Sequence, residues 1–184
     1  MRKLLVSTLT LTMLAAALIA RAQEMPEMPK PQKEHEWLQQ LVGEWTSDYK
    51  ISMPGEPDMV CKGTETVSSL GGFWTISEGT VSFEGMTNES RMTLGYDPAK
   101  KQYIGTYADG MGSHLWHYTG SVDESGKALT LDTGGPCPMK GGAMTDFRET
   151  LTITDADHRT FTSAMKNDDG TWTTFVTVNY TRKK

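Results

Sequence analysis

The chain has 184 residues, of which 37% are hydrophobic and 22% charged, with a formal net charge of −5. That length suits one domain with a real core. The acidic balance and the lack of any basic stripe exclude nucleic acid as a partner, since Lys100-Lys101 and Arg182-Lys183-Lys184 are short and stand at a turn and a terminus.

Residues 1–22 read as a secretory signal peptide. Arg2 and Lys3 precede an apolar run from Leu4 to Ile19, which ends in the small-residue site Ala20-Arg21-Ala22. The run falls short of the roughly 20 residues a membrane span needs, and no later segment approaches that length. No cysteine at the cleavage site could accept a lipid, so a periplasmic or secreted protein beginning near Gln23 is expected, with a net charge of about −8. Residues 23–33 repeat Met-Pro-Glu-Met-Pro-Lys-Pro, a composition expected to form an extended, disordered leader. Its Met25 and Met28 make a poor copper site without a His or Cys beside them.

The remaining residues, 34–184, are expected to fold as one domain. From Glu34 to Val42 the apolar residues Trp37, Leu38, Leu41 and Val42 recur at helical spacing, and Gly43 supplies a stop. Beyond Trp45 the period changes to two. Trp45, Ser47, Tyr49, Ile51 and Met53 share one face, while Thr46, Asp48 and Lys50 share the other. The pattern predicts strands over 44–53, 58–69, 73–83, 88–96, 102–109, 113–122, 127–133, 143–154, 159–166 and 171–182. Turn signals such as Asp97-Pro98-Ala99-Lys100, Asp123-Glu124-Ser125-Gly126 and Asn167-Asp168-Asp169-Gly170 separate them. With no room for crossover helices, neighbours must pair antiparallel. The expected fold is all-β: a single antiparallel up-and-down β-barrel of about ten strands, with a short N-terminal helix closing one end.

A helix leading into Gly43-Glu44-Trp45, with Arg182 near the end of the last strand, resembles the lipocalin and calycin pattern. That resemblance implies that Arg182 packs over Trp45 and closes the barrel. A longer stretch, roughly from Lys30 to Arg182, is similar to a bacterial family known as domain of unknown function 1579. The similarity is carried by Leu41-Val42-Gly43-Glu44-Trp45, Gly63-Thr64-Glu65-Thr66, Ser69-Leu70-Gly71-Gly72-Phe73-Trp74, Thr93-Leu94-Gly95-Tyr96-Asp97-Pro98-Ala99-Lys100-Lys101 and Tyr180-Thr181-Arg182. It implies a fold and a bacterial source more than a chemistry.

Sorting each strand by the parity of its apolar residues gives the candidate inward set: Glu65, Trp74, Glu78, His114, Trp116, Tyr118 and Glu149. Aromatic walls with a few convergent polar groups form the usual anatomy of a small-molecule site. Replacing His114 by Ala or Glu149 by Gln is then expected to weaken ligand retention while folding stays cooperative. Two other readings stay open: a structural network neutralised by Arg91, Arg148 or Lys62, and faces assigned with the wrong parity.

A hydrolase using the inward carboxylates is the competing class, and an envelope interaction protein the third. His114 and His117, at i and i+3 on a strand, project to opposite faces and cannot share a metal. Either His114 or His158 as a haem ligand is the minor reading; no metal or cofactor is expected. Cys61 and Cys137 either form a disulfide across a long loop or stay unbonded, with Cys61 buried and Cys137 exposed. The expected protein is a monomer with a possible small-molecule ligand.

Overall fold

Alternation of inward and outward side chains runs through ten consecutive strands, and it closes them on themselves. The structure is a computed structural model that describes residues 27–184; the expected signal peptide and the first part of the leader lie outside the described residues. A helix, α1 (Lys33–Gln39), is followed by β1 (Gly43–Ile51), β2 (Met59–Leu70), β3 (Trp74–Phe83), β4 (Met86–Asp97), β5 (Gln102–Asp109), β6 (Trp116–Val122), β7 (Ala128–Cys137), β8 (Ala143–Ile153), β9 (His158–Lys166) and β10 (Trp172–Arg182). Each strand pairs antiparallel with its sequence neighbours, and β1 pairs with β10 to complete a closed barrel. Closure leaves no edge strand exposed.

Helix α1 covers the end where the β2–β3, β4–β5, β6–β7 and β8–β9 turns lie. Its apolar stripe explains this: Trp37, Leu38 and, one turn on, Leu41 are buried together with Trp45. Polar contacts fix the seat. The Trp37 indole donates to the Gly126 carbonyl at 2.7 Å, and the Tyr103 hydroxyl donates to the Glu34 carbonyl at 3.1 Å. His35 is buried edge-on against Phe73 and Tyr96, with its Nδ1 accepting the Gln32 amide at 2.9 Å.

Arg182 lies over the Trp45 ring at 4.1 Å and donates to the carbonyls of Val42, Gln40 and Ala156. These carbonyls include ones the helix end leaves without intrahelical partners, so one guanidinium ties helix, first strand and last strand together.

The register places Trp45, Ser47 and Tyr49 inward, as their alternation indicates, and it reverses the expected parity of β3. Thr75 and Ser77 are buried opposite Leu94 and Met92, so they face the lumen. Trp74 and Glu78 therefore stand on the outer wall, where Trp74 lies against Gly95 and Glu78 pairs with the exposed Arg91. Apolarity misidentified the face because small polar residues line the lumen here, while a glycine on β4 lets a tryptophan lie flat outside.

Of the two states open to the cysteines, the structure has the unbonded one, with the expected burial reversed: Cys137 is fully buried and Cys61 only partly. Cys61 and Cys137 are free thiols, on β2 and β7, which are diametrically opposite in a ten-strand ring. A disulfide requires Cα atoms within about 7 Å. Cys137 instead packs against Met165, sulfur to sulfur at 3.9 Å.

Close strand approach makes glycine necessary, most tightly at Gly120. A methyl at Gly120 would run into the Thr130 carbonyl oxygen and the Leu131 backbone of the paired strand. Because backbone cannot swing away as a side chain can, Gly120→Ala is expected to destabilise the barrel by about 1–3 kcal/mol. Chemical denaturation should show it, and an unchanged midpoint would mean that β6 and β7 are less closely apposed than described.

Candidate functional site

Inside the barrel, residues of β6 to β9 form a polar band between two apolar layers. On β8 the inward series is Phe147, Glu149 and Leu151, all buried. On β9 it is Arg159, Phe161, Ser163 and Met165, and on β7 it is Leu129, Leu131, Thr133 and Cys137. Glu149 sits directly opposite Leu131 on one side and Ser163 on the other. Toward the open end, Phe147, Met165 and Cys137 pack with Trp116, Met139 and Phe175. Toward the helix-covered end, Leu129, Leu131 and Leu151 belong to the main core.

Glu149 is 6% exposed. Ser163 Oγ donates to its Oε1 at 3.0 Å, and its Oε2 has no hydrogen-bond partner. Desolvation pushes its pKa up to about 8, against the lowering effect of the Ser163 hydrogen bond. The carboxyl is therefore largely protonated at neutral pH. Ser47 Oγ and Thr133 Oγ1 are likewise buried on the inner wall without partners.

Tyrosines ring the same space. Burial pushes the phenols of Tyr49, Tyr107, Tyr118 and Tyr180 up, and the Tyr118 phenol also feels the charge of an ionised Glu149. They stay neutral across the physiological range, serving as hydrogen-bonding groups and apolar walls.

Nearer the closed end lies a second polar cluster. Glu65 and Arg159 form a buried ion pair, and the guanidinium lies 4.5 Å from the Trp45 ring centroid and 4.1 Å from that of Tyr180. Arg159 Nε has no partner. Glu65 is thus inward but occupied by its own cation.

Of the sequence-expected set, Glu149, Trp116 and Tyr118 come together on the β6–β8 inner wall. His114 falls in the loop before β6, since that strand begins three residues later than the predicted 113. From the mouth, its Nε2 contacts the Gly134 carbonyl at 3.2 Å, and its ring stands edge-on to Trp116. Trp116 in turn lies across Gly135, where a β-carbon would collide with its ring. Trp74 and Glu78 are outside. His158 sits at the closed end, paired with Asp155, so neither haem-reading histidine presents a ring to the lumen centre.

Sequence reasoning put Ser47 on the inner face by its alternation with Trp45 and Tyr49, but it named none of Ser47, Thr133, Arg159 and Ser163 as site residues. Arg159 was legible from the alternation of Phe161 and Met165 with it, but isolated serines and threonines carry no such mark.

At the open end, Met53, Met86, Met111, Leu115 and Met144 are exposed on or beside the loops. Such adaptable side chains suit the passage of apolar molecules. The outer wall, by contrast, carries ion pairs, Glu78–Arg91, Asp132–Arg148 and Asp146–Lys166. Two surface clefts, of about 310 and 440 Å³, border Lys140 and Lys166 at the open end and Lys127 and Arg182 at the closed end. The polar band lines neither. Among the described residues, no helix is long and apolar enough to cross a membrane, and no group of three His, Cys, Asp or Glu could hold a metal ion.

Two solved structures share this architecture. One is the crystal structure of Rv2717c from M. tuberculosis, with a TM-score of 0.58 and 12% identity, covering 84% of this chain and 100% of that one. The other is the S-type phycobiliprotein lyase CPES from Guillardia theta, with a TM-score of 0.57 and 14% identity, covering 85% and 99%. At such identities the likeness shows the fold. No curated protein matches the sequence significantly. A family model described as protein of unknown function (DUF1579) matches residues 30–182, nearly the whole barrel, and the chain therefore belongs to that family.

Proposed function

We propose that this chain is an exported binding protein that holds a small, partly apolar molecule inside its barrel. The observation that carries the reading is the pair of buried, unpartnered polar atoms on adjacent strands of the inner wall: Glu149 Oε2 and Thr133 Oγ1. Leaving such groups unpaired costs about 1–3 kcal/mol each, and a ligand that pairs them recovers that energy on binding. Their apolar neighbours on both sides, Phe147 and Met165 above and Leu131 and Leu151 below, would cover the rest of the molecule. Likeness to a phycobiliprotein lyase is compatible with small-ligand binding at the level of fold. Export rests on the charged, apolar and small-residue pattern of residues 1–22.

A hydrolase with two cooperating carboxylates draws less support. Glu78 stands outside the barrel, and Glu65 is held by Arg159.

Native mass spectrometry of the protein purified from its own cell envelope tests the proposal. A non-covalent adduct that disappears on denaturation, and that Thr133→Val diminishes, is the expected result. A bare mass under the gentlest desolvation conditions, from wild type and variant alike, would count against a retained ligand.

A further inference from the structure

The state of Glu149 specifies which polar group a ligand must bring. This inference rests on the lumen-binding reading above and narrows it.

No cation faces the Glu149 carboxyl. Arg159 is engaged by Glu65 and covered by Trp45 and Tyr180, while Arg148 and Lys166 turn outward to Asp132 and Asp146. The other titratable groups of the lumen are Tyr118 on β6, Tyr107 and Asp109 on β5, Tyr49 on β1 and Tyr180 on β10. The phenols are joined by Asp109, which ends β5 at the mouth, and by the thiols of Cys61 on β2 and Cys137 on β7; none of these is a cation. A single hydroxyl, Ser163 Oγ, donates to the carboxyl. An isolated carboxylate with one donor and no cation is costly when buried, so the neutral acid is the resident form.

In that form the two oxygens differ. The carbonyl oxygen is the better acceptor and takes the Ser163 hydrogen bond, so Oε1 is the carbonyl and the proton sits on Oε2. Oε2–H is then a donor without an acceptor. Thr133 Oγ1 is a second unpartnered hydroxyl, on the same inner face of the adjacent strand and diagonal to Glu149. Diagonal neighbours in a ladder are about 7–8 Å apart at Cα, within reach of a long side chain such as Glu. Two donors on diagonal inward positions of paired strands suit one acceptor with two lone pairs.

We infer that the barrel recognises its ligand through a neutral carbonyl oxygen, that of a ketone, ester or amide, which accepts from both Glu149 Oε2–H and Thr133 Oγ1–H. The ligand's apolar remainder lies against Phe147, Met165 and Trp116. A carboxylate is discriminated against, because its charge would be stripped of water with no cation to receive it. Retention weakens as pH rises past the point where Glu149 ionises, since the carboxylate loses its donor and repels the carbonyl dipole. The expectation that Glu149→Gln weakens retention is thereby reversed: a Gln side chain presents the same acceptor to Ser163 and the same donor to the ligand, with no proton to lose.

Three matched probes test this: 2-acetonaphthone, 2-ethylnaphthalene and 2-naphthoate, titrated into the full barrel by calorimetry at pH 6.5 and pH 9.5. The ketone should bind about 5- to 50-fold more tightly than the hydrocarbon at pH 6.5, as two neutral hydrogen bonds allow, and the carboxylate most weakly. Raising the pH should remove most of that preference in the wild type and none of it in Glu149→Gln. Thr133→Val should weaken the ketone about 3- to 10-fold and leave the hydrocarbon unchanged. Equal binding of ketone and hydrocarbon at both pH values would overturn the carbonyl assignment while leaving the barrel a binder of apolar molecules. Preference for the carboxylate would overturn the assignment too. If none of the three binds to a folded protein, both readings fall.

Discussion

Glu149→Gln is expected to gain stability over the wild type as pH rises, by on the order of 4 kcal/mol between pH 5 and pH 9. The folded-state pKa of Glu149 is raised to about 8, chiefly by desolvation, from an ordinary value of 4.5. Below pH 4.5 both folded and unfolded chains hold the proton, and the group has no effect on the balance. Between 4.5 and 8 the folded chain still holds a proton that the unfolded chain has released. The unfolded state then binds fewer protons, and unfolding free energy falls with each pH unit by about 1.4 kcal/mol. Above 8 the loss is complete and the curve is flat. Gln carries no such proton, so its curve lacks this slope.

The exposed aspartates whose pKa values are lowered by local hydrogen bonds, Asp58, Asp123, Asp155 and Asp169, have the opposite sign. Their support is lost only as pH falls through the acid range, so they add no slope between pH 5 and 9. Urea unfolding of both proteins at unit pH intervals measures the difference. Parallel curves would mean that Glu149 ionises normally in the fold, and the neutral-donor argument for the lumen would fail with it.

The second large effect concerns the closed end. Arg159→Met is expected to cost about 3–5 kcal/mol, because it strands the Glu65 carboxylate in a site that excludes water. Glu65→Leu should be costly in the same way, leaving a buried guanidinium over Trp45 and Tyr180. The double variant Glu65→Leu/Arg159→Met removes both charges and fills the space with apolar groups, and it should recover to within about 1–2 kcal/mol of the wild type. The coupling, read from a double-mutant cycle by denaturant unfolding, is therefore large. Additive losses would show that the two side chains stabilise the barrel independently, by packing on the aromatic rings rather than by pairing.

How far the site could be read in advance depended on which residues carry a mark in one dimension. Glu149 was legible, because it interrupts an alternating series of Phe147, Leu151 and Ile153 and must share their face. Trp116 and Tyr118 were legible for the same reason. His114 was placed inward on β6, whereas it lies in the loop before that strand, since Gly112 and Ser113 prolong the loop. Trp74 and Glu78 were placed inside because a tryptophan and an isoleucine outweigh Thr75 and Ser77 in any count of apolarity. What reverses that choice is Gly95, a residue of another strand, whose missing side chain makes room for the Trp74 ring outside.

By itself the sequence determined the all-β class, the ten strands to within a few residues in most cases, the antiparallel meander and the helix that precedes it. These depend on periodicity, turn residues and loop lengths, which are local quantities. Only the tertiary structure decided that Cys61 and Cys137 lie on opposite sides of the ring, that Arg159 neutralises Glu65, and that Ser163 and Thr133 flank Glu149. Each depends on which strands become neighbours and in what register, and closure of β1 on β10 sets that for the whole barrel at once. The protonation of Glu149 belongs with them, because it follows from the absence of a facing cation and from exclusion of water, and both are properties of the closed lumen.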